Sequence, residues 1–389
     1  MKQSKVILPI IVISQFCCTS LWFAGNGVMG DLIVNFHLKD SALGHLTSAV
    51  QFGFILGTLI FAIFTIADRF SPSKVFLTCA LLGSLFNAGV IWEGNSLASI
   101  ISLRFITGFF LAGIYPVGMK IAADYYEKGL GKSLGFLVGA LVVGTAFPHL
   151  AKEMTSAFPW KSVLILTSSL AVMGGLFMFI MVSDGPYRKS GNKLDKSAFL
   201  GVFKNHEFRS AAFGYFGHMW ELYAFWAFVP IILKTYSMGH LEATFNIPLL
   251  SFLIIGIGGL ACVLAGYLAQ ILGTKRIAFI ILLLSCCCCL ISPLMFMTES
   301  ESLFIGFLFF WGMVVIADSP LFSTLVAQNA AAEIKGTALT IVTCIGFSIT
   351  IISIQLLNVL QATMNPIYIY TTLALGPIIG LIVLSEKNK

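Results

Sequence analysis

Charge is what this sequence has least of. Only 10% of its 389 residues are Asp, Glu, Lys or Arg, where a soluble globular chain carries about 25%. So few charges cannot solvate the outside of a globule of this length. That excludes an ordinary water-soluble enzyme and a disordered or collagen-like chain alike. No Walker loop, H-E-x-x-H or G-x-S-x-G occurs, so neither ATP hydrolysis nor a zinc or serine hydrolase is expected. The nine cysteines all lie in apolar stretches, and none has a zinc-finger spacing or a disulfide framework. The run Cys286–Cys289 cannot converge on one ion, because consecutive helix residues point in different directions. We read these cysteines as small, soft packing residues, and expect no metal and no cofactor.

What is there is apolar. Hydrophobic residues make up 58% of the chain, and mean hydropathy is +0.94. The 35 Phe and 36 Gly suit helices that face lipid and pack closely through small residues. A helical span takes about 20 residues. On that scale we expect twelve, at 6–28, 43–67, 74–93, 96–119, 131–151, 160–183, 210–234, 246–272, 276–297, 302–328, 336–360 and 364–385. The first follows Lys2 and Lys5 like a signal peptide. It is long for an h-region and has no A-x-A site, so it is expected to be retained.

The distribution of basic residues sets the orientation. With the N-terminus inside, eighteen of the 23 Lys and Arg fall in inner segments and four, Lys39, Lys152, Lys161 and Lys234, in outer ones. Arg104 lies within a span. Both termini are therefore expected in the cytoplasm. The net charge of +6 belongs to this membrane pattern, and no nucleic-acid partner is expected.

The longest polar stretch, 184–209, falls between the sixth and seventh spans. It divides the chain into an N-terminal six-helix bundle (1–183), a cytoplasmic linker (184–209) and a C-terminal six-helix bundle (210–389). A repeat supports that division: Ala67-Asp68 through Lys74 aligns with Ala269-Gln270 through Arg276 at an offset of 202 residues. Parallel halves of this kind occur in one large class of secondary transporters. The loop Asp68-Arg69 to Lys74 resembles the G-x-x-x-D-R-x-G-R-K signature of the major facilitator superfamily, with Phe64 and Ser71 where its glycines are usual. Its second copy keeps Gly266, Gly273, Lys275 and Arg276, with Gln270 in place of the acid. Arg104-Phe105, Gly108 and Gly113 resemble the family's R-F-x-x-G-x-x-x-x-G. The resemblance covers nearly the whole chain. It implies an all-α membrane protein with twelve helices in two pseudo-symmetric bundles. It also implies that Asp68, Arg69, Lys74, Lys275 and Arg276 act as a conformational latch.

Charge inside a span costs roughly 2.5–3.5 kcal/mol even on lenient scales, so the few such residues are the first functional candidates. They are Glu221, Asp318 and Arg104. Glu221 lies eleven residues into its span, about 17 Å along a helix and near the midplane. His218 is three residues away, on the same face. Glu221, Asp318 and His218 are therefore candidates for proton coupling, with Pro320 beside Asp318 allowing a bend. Alternatively, His218 and Glu221 hold their span to a neighbour. Arg104 is a candidate for binding an anionic group, or a tie to polar groups of the first span such as Asn26 or Gln15. Gln15, Thr19, Trp22 and Asn26 follow 4-3-4 spacing, one helix face. We take Gln15, Trp22 and Asn26, with Tyr215 and Tyr223, as candidate substrate contacts.

The resemblance implies a secondary active transporter of the inner (plasma) membrane, acting as a monomer on a small polar solute by alternating access. An organic anion is suggested by Arg104, and coupling to protons by Glu221. A drug or metabolite exporter is the alternative. Gly135, Gly139 and Gly144 resemble that branch's fifth span, but Ala146-Phe147-Pro148 replaces its G-P dipeptide. A nitrate site is not expected, since the eighth span lacks a basic residue. A non-transporting receptor and a membrane-embedded enzyme are the remote alternatives.

Overall fold

A computed structural model describes residues 6–126, 130–188, 202–240, 243–331 and 334–385. Among these the regular structure is entirely helical, and they divide between two compact units, Met1–Leu194 and Asp195–Lys389. Half of the expected linker, 189–201, lies outside the described residues. Its last residues already belong to a helix, because Asn205 caps His206–Gly239 by accepting hydrogen bonds from the Glu207 and Phe208 amides.

Among the described residues, ten helices are long and apolar enough to cross a membrane. Two expected spans fall outside that set. The stretch 6–28 is broken into α1 (Ile7–Thr19) and α2 (Ala24–Gly27), with α3 (Met29–Asn35) following. The stretch 74–93 forms α6 (Pro72–Gly89), which begins on a proline at its first turn and carries Lys74.

In the first unit, α4 (Ala42–Ile63) lies along α7 (Leu97–Leu111) at very close range. A Cβ on Gly53 would stand 1.9 Å from the Phe105 carbonyl oxygen, and one on Gly108 2.1 Å from that of Val50. Only glycine lets these backbones meet, which explains the Gly53, Gly57 and Gly108 positions as packing. The short α5 (Ile66–Arg69) follows α4 through Thr65, a non-glycine residue at φ 49°. After α7 the chain breaks at Ala112–Ile114 and resumes as α8 (Tyr115–Tyr125), with Pro116 in its first turn. Helices α9 (Leu130–Met154) and α10 (Lys161–Met181) complete the unit, both packing on α1.

The second unit opens with α11 (His206–Gly239), 34 residues long. It continues with α12 (Ile247–Gly256), α13 (Gly258–Leu272), α14 (Thr274–Phe296), α15 (Glu301–Ala317) and α16 (Ser319–Asn329). Next come α17 (Lys335–Thr363), the short α18 (Pro366–Ile369), a 3-10 turn at Tyr370–Ala374 and α19 (Leu375–Ser385). The break between α15 and α16 carries Pro320 in the first turn of the second piece, as Pro116 does in α8. The same device therefore interrupts the fourth span of each half. Helix α11 is the hub, packing on α19 and α17 and also on α16. Its distal end is held by stacked rings: Tyr236 lies 3.9 Å from Phe304 and 4.1 Å from His240, centroid to centroid.

Candidate functional site

Among its described residues the second unit buries three carboxyl or imidazole side chains. Glu221, His218 and Asp318 are each 1% exposed. Helix α11 carries Glu221 and His218 one turn apart, as their spacing predicted, yet each finds a different partner. Glu221 Oε1 accepts hydrogen bonds from Ser285 Oγ on α14 and Trp311 Nε1 on α15, both at 2.6 Å. His218 Nδ1 stands 2.8 Å from Asp318 Oδ1. Asp318 Oδ2 and His218 Nε2 have no hydrogen-bond partner among the described residues.

Asp318 owes its place to the broken span. It is the residue before α16, and its carbonyl accepts the Leu321 and Phe322 amides. Its carboxylate therefore sits at a helix N-terminus, where unpaired N–H groups favour negative charge. The second-half candidates thus form two neutral-to-charged arrangements: a carboxylate held by a hydroxyl and an indole, and a carboxyl–imidazole pair.

Aromatic side chains crowd both. Tyr215 is buried 6.0 Å from the His218 ring. Tyr223 is buried against Trp226 and Phe347, at 5.3 and 5.2 Å. Trp220 donates its indole N–H to the Thr372 carbonyl at 3.1 Å and so ties α11 to the 3-10 turn.

In the first unit Arg104 is 1% exposed. Its Nη1 donates to Asn87 Oδ1 at 2.8 Å, and its Nη2 to the carbonyls of Leu21 and Trp22 at 3.0 and 2.6 Å. Those carbonyls lie where α1 ends and the first span is broken. A guanidinium is suited to this task, being a planar fork of donors. The tie to the first span is therefore made to its backbone, where Asn26 or Gln15 had been the expected acceptors. Asn87 passes the link on, its amide donating to Ser168 Oγ on α10 at 2.9 Å.

Asn26 donates instead to Thr47 Oγ1 on α4 at 2.9 Å. Trp22 is buried with its ring 4.8 Å from Phe54. Gln15 is fully buried, and neither of its amide atoms has a partner among the described residues.

The expected latch residues fall into two separate groups. Asp68 on α5 pairs with Lys120 on α8 at 2.8 Å, and Lys120 also approaches Asp124 at 3.5 Å. Arg188 donates to the Asp68 and Phe70 carbonyls and pairs with Asp184, which accepts from Ser71. Arg69 and Lys74 are exposed. In the second unit Lys275 pairs with Glu207 at 3.1 Å, and Arg276 is exposed.

Sequence inspection missed Ser285, Trp311, Asn87 and Lys120. Ser285 precedes the cysteine run and Trp311 sits in an almost wholly apolar helix, so each could have been matched to a buried acid. Of the cysteine run, Cys286, Cys288 and Cys289 are buried and Cys287 is exposed, the divergence expected of consecutive helix residues. Among the described residues no cluster of His, Cys, Asp or Glu could hold a metal ion.

Comparison with known proteins agrees with this architecture. The family model of the Major Facilitator Superfamily matches residues 11–354. An uncharacterized transporter of Schizosaccharomyces pombe is 27% identical over 210 residues, 48% of this chain and 39% of that protein. The matched region spans at most half the length of the curated relatives. Among solved structures, the nucleoside transporter NupG superposes with a TM-score of 0.71 at 15% identity, covering 98% of each chain. The proton:xylose symporter XylE gives 0.74 at 14% identity, covering 97% of this chain and 94% of that one. These likenesses are to transporters and not to enzymes. With a family match over most of its length and a fold shared end to end with such proteins, this multi-pass chain belongs to the Major Facilitator Superfamily.

Proposed function

We propose that the chain is a secondary active transporter that moves a small polar solute by alternating access, driven by protons. In this reading it crosses the membrane twelve times, as six-helix halves 1–183 and 210–389, with the 184–209 linker and both termini in the cytoplasm. The ten long apolar helices support the count, with α1–α2 and α6 as the two remaining crossings.

The observation that carries proton coupling is the burial of Glu221, His218 and Asp318 in one unit. Burying one carboxylate among neutral donors is costly, and burying a second beside an imidazole costs more. A purely structural contact at either place could use Asn, Gln or Ser at less cost. Groups that can take up and release a proton remain useful there, because protonation removes the charge that burial opposes. Glu221 is assigned the main proton site, with Asp318 and His218 as a second, coupled one.

The test is proton movement in proteoliposomes loaded with a pH dye and challenged with sugars, amino acids, organic anions and cationic drugs. Wild type is compared with Glu221→Gln and Asp318→Asn. Solute-dependent proton flux in wild type, lost in Glu221→Gln, is the expected result. Solute flux with no proton movement in wild type would overturn the coupling, and chemical conversion of a panel member would overturn the transporter reading.

A further inference from the structure

We infer that the first unit carries a solute-binding subsite on α9 and α4, with His149 and Gln51 as its specificity-determining residues, and that it takes an uncharged hydrogen-bonding group. The inference rests on the transporter reading above and specifies its substrate class.

His149 is 3% exposed, and its Nε2 has no partner among the described residues. Thr145, one turn earlier on α9, is fully buried with an unpartnered hydroxyl. On α4, Gln51 is fully buried and both its amide atoms are unpartnered. Leaving such groups unpaired is costly, and native proteins leave few of them.

These residues flank one place, the break in the first span. On α4, Thr47, Gln51, Phe54 and Thr58 follow 4-3-4 spacing and share a face. Thr47 on that face accepts from Asn26, and Phe54 meets Trp22. On α9 the residues just before Thr145 and His149 touch the other side of the break. A Cβ on Gly144 would stand 2.1 Å from Thr19 Oγ1, and one on Gly27 2.8 Å from the Pro148 carbonyl oxygen. Two polar rows thus border α2 from two helices, with Gln15 on α1 adding a second unpartnered amide.

The chemistry of the rows selects the ligand. Amides, hydroxyls and a neutral imidazole each both donate and accept. None brings a fixed positive charge. Arg104 is the one buried Lys or Arg among the described residues, and its terminal nitrogens are already given to Asn87, Leu21 and Trp22. An anion entering here would lose its hydration without gaining a counter-charge. A solute with several hydroxyls or amides, such as a sugar, polyol or nucleoside, would satisfy both rows.

The test measures binding to the purified full-length protein in nanodiscs, with no proton gradient. Thermal stabilisation is recorded with D-ribose, myo-inositol and uridine, and with lactate, succinate and inorganic phosphate. At least one neutral probe should bind, and its Kd should weaken tenfold or more in His149→Ala and in Gln51→Leu. His149→Gln, which keeps a donor and an acceptor, should recover part of that loss with an unchanged ligand-free unfolding midpoint. Binding of anions alone, no binding of any neutral probe, or equal binding by wild type and both variants would overturn the subsite. Neutral binding through His149 without proton movement would overturn only the coupling. Proton-coupled uptake of an anion, untouched by His149→Ala, would overturn only the subsite.

Discussion

His218 and Asp318 lie one hundred positions apart in sequence and meet at 2.8 Å, nitrogen to oxygen, with both side chains buried. The contact joins the middle of α11 to the break between α15 and α16. Removing one member of a buried pair is more damaging than removing both, because the survivor is left without compensation. His218→Ala should therefore destabilise the protein by about 3–5 kcal/mol, and adding Asp318→Asn should return part of that loss. A thermal-unfolding cycle on the four proteins in detergent checks this. Strict additivity would mean that the two groups do not interact.

Arg104 donates hydrogen bonds to three acceptors inside its own unit. Lysine keeps the charge but loses the fork. Arg104→Lys should leave at least one buried acceptor unmet, at about 1–3 kcal/mol, and lower the yield of monodisperse protein by size-exclusion chromatography. A normally folded Arg104→Lys whose only change is in solute affinity would place the guanidinium on the solute instead.

The Asp68–Lys120 pair is partly exposed, and such pairs contribute only about 0.2–1 kcal/mol. Asp68→Asn should barely move the unfolding midpoint. If the loop is the latch its sequence resembles, transport should nevertheless slow several-fold, with binding affinity kept. Initial uptake rates and equilibrium binding, measured side by side, separate the two effects. A transport rate equal to wild type would remove the latch assignment.

Glycine spacing gives a packing test. Gly53→Ala or Gly108→Ala places a methyl group against a backbone carbonyl, whereas Gly266→Ala and Gly306→Ala meet nothing within 4 Å. The first two should cost about 1–3 kcal/mol or more and the last two almost nothing. Unfolding midpoints of the four variants check the order. Equal midpoints would mean that α4 and α7 do not approach as closely as described.

Ten of the twelve expected spans were legible because long apolar runs stand out in a sequence, and Glu221 and Asp318 stood out because charge is so rare here. The shared face of His218 and Glu221 followed from helical periodicity. Their partners did not. Ser285 and Trp311 are ordinary residues in apolar helices, and only the tertiary packing of α14 and α15 on α11 brings them to the carboxylate. Arg104 illustrates a second limit. Two of its three acceptors are main-chain carbonyls where a helix stops, and that stop is written in no side chain of residues 20–23. Neither His149 nor Gln51 carries an obligatory charge, and such polar residues in a span are too common to be singled out by sequence alone.

The broken first span also has a consequence for biogenesis. Helix α1 has 13 residues, fewer than the roughly 20 that cross a bilayer unaided. The carbonyls beyond its end are met by a guanidinium 82 and 83 residues downstream. A ribosome working at about 5–20 residues per second needs roughly 4–16 s to make that interval. For that time the nascent first segment leaves the translocon without its partner. Assembly of the amino-terminal half is therefore gated by arrival of the fourth span, and truncations ending before Arg104 should be the ones that quality-control proteases clear fastest.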